Sequence, residues 1–123
     1  MIESYTKLRF FISFTHIYLC GIIFVNMENN KFAVLIDAEN ISYRYVDIIM
    51  DELAKEGVIT YRRIYGDWSD KKTRGWKEKL LENSIIPIQS FPYTSGKNST
   101  DSTMVIDAMD ILYTGKVDGF CLV

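Results

Sequence analysis

The feature that most constrains the fold is an uninterrupted apolar run that ends in an acid. Residues 32–40 read FAVLIDAEN, so five apolar residues are followed by Asp37, Glu39 and Asn40. A short continuous apolar run is typical of a strand that is buried on both faces, as in parallel sheets. Sites in open α/β sheets form at the carboxyl ends of such strands. Asp37 is therefore a candidate site residue that binds a cation, pairs with a base or caps the next helix.

The residues that follow predict an alternation of helices and strands. Further strands are predicted at residues 58–65, 85–90 and 119–123, which are rich in β-branched, aromatic or apolar residues. Apolar residues at helical spacing predict helices between these strands, ending near Gly57, Asn83 and Gly115. The order β-α-β-α-β-α-β predicts a three-layer α/β fold with a mainly parallel, Rossmann-like sheet. Because no closing helix follows the last strand, we expect the fold to be incomplete at its C-terminus.

Residues 1–26 do not share this pattern. Residues 8–25 are almost all apolar but include His16, and the run is slightly short of the roughly 20 residues that span a membrane. Lys7 and Arg9 resemble the start of a signal peptide, yet no small-residue cleavage site follows. We favour a third interpretation, in which the domain comprises residues 27–123, starting at Met27, and residues 1–26 are an apolar extension outside it. On this interpretation no stable membrane association is expected.

Overall composition predicts a packed core and indicates which partners the chain can attract by charge. The chain is 48% hydrophobic and 24% charged, and its net charge of -2 gives no general attraction for nucleic acid, so RNA binding would need a local patch. Its two cysteines, Cys20 and Cys121, lie in apolar runs. We interpret them as reduced, buried residues of a cytoplasmic protein.

Acids from two distant parts of the sequence are predicted at the same edge of the sheet. Asp101 opens the third predicted helix, and helices of a parallel sheet begin near the strand ends where Asp37 lies. Alternation along an extended chain would put Glu39 on the same side as Asp37. Carboxylates at such an edge suit a hard cation such as Mg²⁺. The alternative is that Asp37 and Asn40 cap a helix, while Asp101 complements a helix dipole.

Asp107 is predicted to play a different part from Asp101. The two acids are six residues apart, which is about 120° around a regular helix. One ion is therefore not expected to bind both, and we interpret Asp107 as a structural acid or one that supports the metal ligands.

Basic and aromatic residues are interleaved between residues 62 and 79. This mixture suits single-stranded nucleic acid, because phosphates pair with the cations and bases stack on the rings. The candidate contacts are Arg63, Lys71, Lys72 and Trp68. The alternative is a solvated helix face with Trp76 in the core.

Three segments together resemble a known family. VLIDAENI at residues 34–41, YGDW at 65–68 and KNSTDSTMVIDAMD at 97–110 are similar to the NYN domain, in the LabA-like branch of the PIN-like nuclease superfamily. The resemblance covers residues 31–123. It implies a PIN-like fold and a metal-dependent endoribonuclease that hydrolyses RNA with Mg²⁺ or Mn²⁺.

Particular residues match the family's site. The resemblance implies that Asp37 and Asp101 bind metal, that Asn40 orients water or substrate beside them, and that Asp107 is the acid that follows in the helix. Lys97 is a candidate phosphate contact. The family continues after the last strand with a Ser-Asp-x-Asp loop that completes the metal site, and this chain ends before it. We therefore expect a fragment; the alternative is a non-catalytic RNA-binding or protein-interaction module with the same fold.

Overall fold

A six-stranded sheet with helices on both faces forms the fold in the computed structural model of the chain. The structure describes residues 5–12, 17–24, 31–90 and 99–123, with side chains over residues 31–90 and 103–123. Its elements in chain order are β1 (Tyr5–Ile12), β2 (Ile17–Phe24), β3 (Lys31–Asp37), α1 (Val46–Ala54), β4 (Val58–Gly66), α2 (Trp76–Asn83), β5 (Ile86–Gln89), α3 (Ser99–Thr114) and β6 (Gly119–Leu122).

Four parallel strands form the part of the sheet that the sequence predicts. The strand order is β1-β2-β6-β3-β4-β5, and β6, β3, β4 and β5 pair in parallel. From β3 onward the chain alternates strand and helix, so the predicted β-α-β-α-β-α-β order and mainly parallel α/β fold are confirmed. The carboxyl ends of these four strands consequently meet at one edge of the sheet.

The central strand β3 is buried on both faces. Residues 32–36 are at most 1% exposed, and alternate side chains enter two separate apolar clusters. One cluster joins β3 to α1 and α2 through Phe32, Val34, Ile36, Ile49, Leu53, Trp76 and Leu80. The other joins β3 to α3 through Ala33, Leu35, Tyr65, Met104 and Ile111. These clusters make the three layers, with α3 alone on one face among the described helices.

Short turns of 3-10 helix precede the first two α-helices. Ser42 Oγ accepts a hydrogen bond from the Arg44 backbone N–H at 3.4 Å, so Ser42, rather than Asn40, caps the 3-10 turn Tyr43–Tyr45 before α1. Asp70 likewise caps the turn Lys71–Thr73 by accepting from the Lys72 N–H at 3.0 Å. The second predicted helix, which was expected to end near Asn83, is therefore a 3-10 turn followed by α2. Ser84 follows α2 as its C-cap in the left-handed conformation, with φ 54°.

The N-terminal apolar residues form strands rather than one helix. β1 and β2 pair as an antiparallel hairpin, and β2 pairs antiparallel with β6, at the side of β6 opposite β3. In the described part of the chain no helix combines the length and the apolar character needed to cross a membrane. Whether the parallel core folds without residues 1–26 stays a prediction.

The interpretation of both cysteines as reduced is wrong for Cys121. Cys121 is fully buried, as expected, but it is disulfide-bonded. The chain's other cysteine, Cys20, lies in β2, the strand beside β6. Sequence patterns do not reveal this neighbourhood, because β2 and β6 are about 100 residues apart along the chain. Since disulfides persist mainly in oxidising compartments, the bond gives no support to the predicted cytoplasmic location.

We predict that a chain starting at Met27 folds and stays soluble. The two apolar clusters, over the side chains that are described, consist of residues from β3 onward. Deletion therefore leaves β6 as an edge strand and removes none of these contacts. Circular dichroism and size-exclusion chromatography check this against the full chain, both with reductant so that the disulfide does not bias the comparison. Aggregation of the shorter chain beside a well-behaved full chain would show that residues 1–26 belong to the domain.

Candidate functional site

The carboxylate of Asp37 lies at the carboxyl end of β3 and is only 5% exposed. Its Oδ1 accepts a hydrogen bond from the Glu39 backbone N–H at 3.0 Å, and its Oδ2 accepts one from Asn40 Nδ2 at 3.1 Å. These bonds close the turn after β3 and not the start of α1, which begins nine residues later. The alternative in which Asp37 caps the next helix is therefore not what the structure shows.

The turn after β3 separates the two acids that the sequence placed together. The chain leaves the extended path at Ala38, whose N–H donates to the Tyr65 carbonyl on β4 at 2.9 Å. Asp37 faces the α3 side of the sheet, whereas Glu39 lines a cavity on the other side of the turn. The extended path that would have put Asp37 and Glu39 on one side does not continue, because period-two alternation ends with the strand at Asp37.

A groove of about 470 Å³ brings the end of β3 together with α3. Asp37 and Asn40 provide its polar wall. The remaining wall is apolar and comes from α3 and the end of β6: Met104, Val105, Ala108, Met109, Leu122 and Val123. The Val123 carbonyl also accepts the Asp37 backbone N–H at 3.1 Å, so β6 ends directly beside the candidate ligand. The groove thus lies at the sheet edge where the sequence predicts a site.

Asp101 belongs to the first turn of α3, as predicted, but its side chain is outside the described residues. Positions 101, 104, 105 and 108 follow the i, i+3, i+4, i+7 spacing of one helix face. The last three of these positions line the groove with Asp37. Convergence of the Asp37 and Asp101 carboxylates stays a prediction, and among the described side chains no three acids, histidines or cysteines are grouped to hold a metal ion.

Asp107 has two partners on β4. Its Oδ2 accepts a hydrogen bond from Tyr65 Oη at 2.5 Å and another from Arg63 Nη1 at 2.9 Å. The Arg63 guanidinium also lies over the Tyr61 ring, 5.3 Å from its centroid. Burial and the bond to Asp107 raise the pKa of Tyr65 above its ordinary value, so its hydroxyl stays a donor.

This arrangement bears on two predictions from the sequence. Asp107, which interrupts an apolar run, does pack inward, and its contacts on β4 suit a structural role. Arg63 was predicted to contact substrate, but its guanidinium is held on the α3 face by Asp107. No sequence pattern predicted that Tyr65 contacts Asp107, although Tyr65 is one of the interleaved aromatic residues and the first residue of YGDW.

A second cavity, of about 350 Å³, opens on the other side of the same turn. Ala38 and Glu39 form one wall, and Asp67, Asp70 and Lys72 contribute from the segment after β4. Asp67 accepts hydrogen bonds from Ser69 and Gln89, which lower its pKa below the ordinary value. Asp70 is engaged as a helix cap.

Of the other predicted substrate contacts, Lys71 and Lys72 are exposed at this carboxyl edge. Trp68 is half-buried and packs on the core beside α2, and its indole N–H donates to the Ile88 carbonyl at 2.9 Å. Trp76 is only 3% exposed, as the alternative interpretation of this region expected. Lys97 lies outside the described residues.

Comparison with known proteins identifies the family. The family model for the NYN domain matches residues 31–123, which contain all three segments that carried the resemblance. No curated protein and no solved structure matches the chain. The match does not test the LabA-like branch, which stays a prediction. Since it covers more than half of the chain, the protein belongs to the NYN domain family, within the PIN-like nuclease superfamily.

Proposed function

We propose that this chain carries the chemistry of a metal-dependent endoribonuclease that acts on single-stranded RNA. The observation that carries the proposal is the buried carboxylate of Asp37 at the carboxyl edge of a parallel sheet, in a groove shared with α3. Membership of the NYN family supports nuclease chemistry at this edge. Asp37, Asn40 and Asp101 are the residues we assign to catalysis.

The donor chemistry at this edge fits Mg²⁺ or Mn²⁺. Asp37 offers carboxylate oxygens and Asn40 an amide, which are ligands of hard divalent cations. Asp37 and Asp101 would hold the cation, and Asn40, which already contacts Asp37, would orient water or substrate. When bound, the cation supplies activated water and neutralises charge on the phosphate.

The RNA backbone would reach this site along the rim formed by the turn Lys71–Thr73. Lys71 and Lys72 are exposed there, while Asp67 and Asp70 already accept hydrogen bonds from neighbouring groups. Among the described cations, Lys71 and Lys72 are therefore the best placed to bind RNA phosphates. Lys97 is a further candidate, because it lies two residues before the start of α3 in the sequence. Arg63 and Trp68 contribute less directly, since their polar groups are bonded within the fold.

We predict that Mn²⁺ or Mg²⁺ raises the melting temperature of the chain. A ligand at 100 times its Kd stabilises a fold by about 2.7 kcal/mol, which for a domain of this size is a shift of roughly 10 °C or more. Asp37→Asn should abolish most of that shift, because the variant loses a negative ligand. Without metal the variant should melt close to the parent, since its amide oxygen still accepts the Glu39 N–H and the Asn40 amide can turn its oxygen toward the new NH2 group. Differential scanning fluorimetry with and without EDTA measures both effects.

The matched control for this experiment is Asp110→Asn, which makes the same charge change at an exposed position of α3. It should leave the metal response intact. A parent chain that shows no response to either cation, or an Asp37→Asn variant that keeps the whole response, would contradict the proposed metal site.

We also predict that Lys72→Glu weakens binding of single-stranded RNA. Removing one phosphate contact lowers the slope of log K against log salt by roughly 0.7 for a single strand. Lys116→Glu is the matched control, because Lys116 is equally exposed but lies after α3, in a cavity with Lys31 at the amino end of β3. Fluorescence anisotropy at several salt concentrations, without divalent metal, compares the variants. Equal losses for Lys72→Glu and Lys116→Glu would indicate a general charge effect and remove Lys72 from the interface.

The second candidate function is a non-catalytic module that binds RNA or protein with the same fold. The apolar side chains exposed on α3, such as Ile106 and Tyr113, favour a protein partner for this alternative. Cleavage of a labelled single-stranded RNA in Mn²⁺ that EDTA stops would support the enzyme. RNA binding without cleavage and without a metal response would support the module.

A further inference from the structure

Tyr65 is connected to both sides of the candidate site. Its backbone carbonyl accepts the N–H of Ala38, the residue after Asp37, at 2.9 Å. It is also the register partner of Asp37 in the pairing of β3 with β4. At the other end, its hydroxyl donates to Asp107 on α3 at 2.5 Å. One fully buried residue, through its backbone carbonyl on one side and its hydroxyl on the other, therefore joins the turn after Asp37 to α3, the helix whose first turn contains Asp101.

The geometry makes this connection rigid. Tyr65 is 0% exposed and packs in the apolar cluster with Leu35 and Met104, so its ring has fixed neighbours on both β3 and α3. Arg63 donates to the same Asp107 oxygen and restricts the carboxylate further. Asp101 precedes Asp107 by six residues, which is about 9 Å along a helix axis. A shift of Asp107 along β4 would therefore move the first turn of α3 with it.

We propose that Tyr65 is a positioning residue that sets the distance between Asp37 and the first turn of α3, with Asp107 as its acceptor rather than as a metal ligand. The inference rests on the proposed function for its effect on metal binding. The physical contact itself does not depend on that function. Hydrogen-bond partners that hold metal ligands in place affect metal affinity by 10–100-fold when they are removed.

The first test compares Tyr65→Phe with Tyr61→Phe by calorimetry with Mn²⁺, at a temperature where circular dichroism shows each variant folded. Both substitutions remove one hydroxyl from the α3-facing side of β4, but only the Tyr65 hydroxyl bonds to Asp107. We expect Tyr65→Phe to weaken Mn²⁺ binding by roughly 10-fold, the lower end of the range for direct partners of metal ligands, because Tyr65 acts through Asp107. Tyr61→Phe should leave the affinity within about twofold, because the ring that stacks on Arg63 is retained. Equal affinities in the parent and Tyr65→Phe would overturn the proposal.

The second test separates positioning from direct ligation at Asp107. An Asn at this position keeps an oxygen that accepts from Tyr65 and Arg63, whereas an Ala does not. If Asp107 only positions α3, Asp107→Asn should keep the Mn²⁺ affinity of the parent within a few-fold. Asp107→Ala should lose about as much Mn²⁺ affinity as Tyr65→Phe does. Equal loss in Asp107→Asn and Asp107→Ala would overturn the proposal and make Asp107 a ligand. This pair also decides the matter if Tyr65→Phe does not fold.

A third measurement distinguishes failure of this inference from failure of the proposed function. Deuterium exchange of the backbone amides in residues 99–106 reports the anchoring of α3 without any metal. Tyr65→Phe should accelerate that exchange and Tyr61→Phe should not. If the parent binds no Mn²⁺ but the exchange result holds, the proposed function fails while the tie between β4 and α3 stands. Unchanged exchange in Tyr65→Phe would overturn the tie itself.

Discussion

Burial of β3 on both faces is the constraint on which the rest of the structure depends. Its five apolar residues contact α1 and α2 on one side and α3 on the other. Full burial of each large apolar side chain contributes about 1.5–3 kcal/mol to the stability of the fold, so loss of either helical layer would be strongly destabilising. β3 is also covered at both of its edges, because it has β6 and β4 as parallel neighbours.

The same constraint determines where Asp37 lies. The strand ends at the first residue whose charge opposes burial, and Asp37 remains 5% exposed because backbone and amide donors from the next turn compensate it. The neighbouring parallel strands end at the same edge of the sheet. The first half of α3 therefore borders the groove beside Asp37, and the turn Lys71–Thr73 borders the cavity beside Ala38. The link from Tyr65 to Asp107 then holds α3 against the sheet. Core packing and a few polar contacts between β3, β4 and α3 consequently determine the geometry of the site.

Local patterns were enough to predict the alternating elements and the edge at which they place a site. Apolar periodicity and residues such as Gly57 depend only on near neighbours in sequence, so the order from β3 to β6 could be predicted. Features that depend on contacts between distant segments could not be predicted from local patterns. The pairing of β2 with β6, the disulfide at Cys121 and the contact of Arg63 with Asp107 join residues that are 44 or more positions apart. The place of Glu39 could not be predicted from strand periodicity, because a turn follows Asp37 and periodicity does not set the course of a turn.

The central claim is that Asp37 and the first turn of α3 hold one divalent cation between them. Titration of Mn²⁺ into the ¹⁵N-labelled chain tests it most directly, because the paramagnetic ion broadens the amide resonances closest to it. The account predicts that resonances of residues 37–40 and of residues 99–104 broaden together at the lowest Mn²⁺ concentration, while that of Lys116 does not. Broadening of residues 37–40 without residues 99–104, or broadening confined to Asp67 and Asp70, would contradict it.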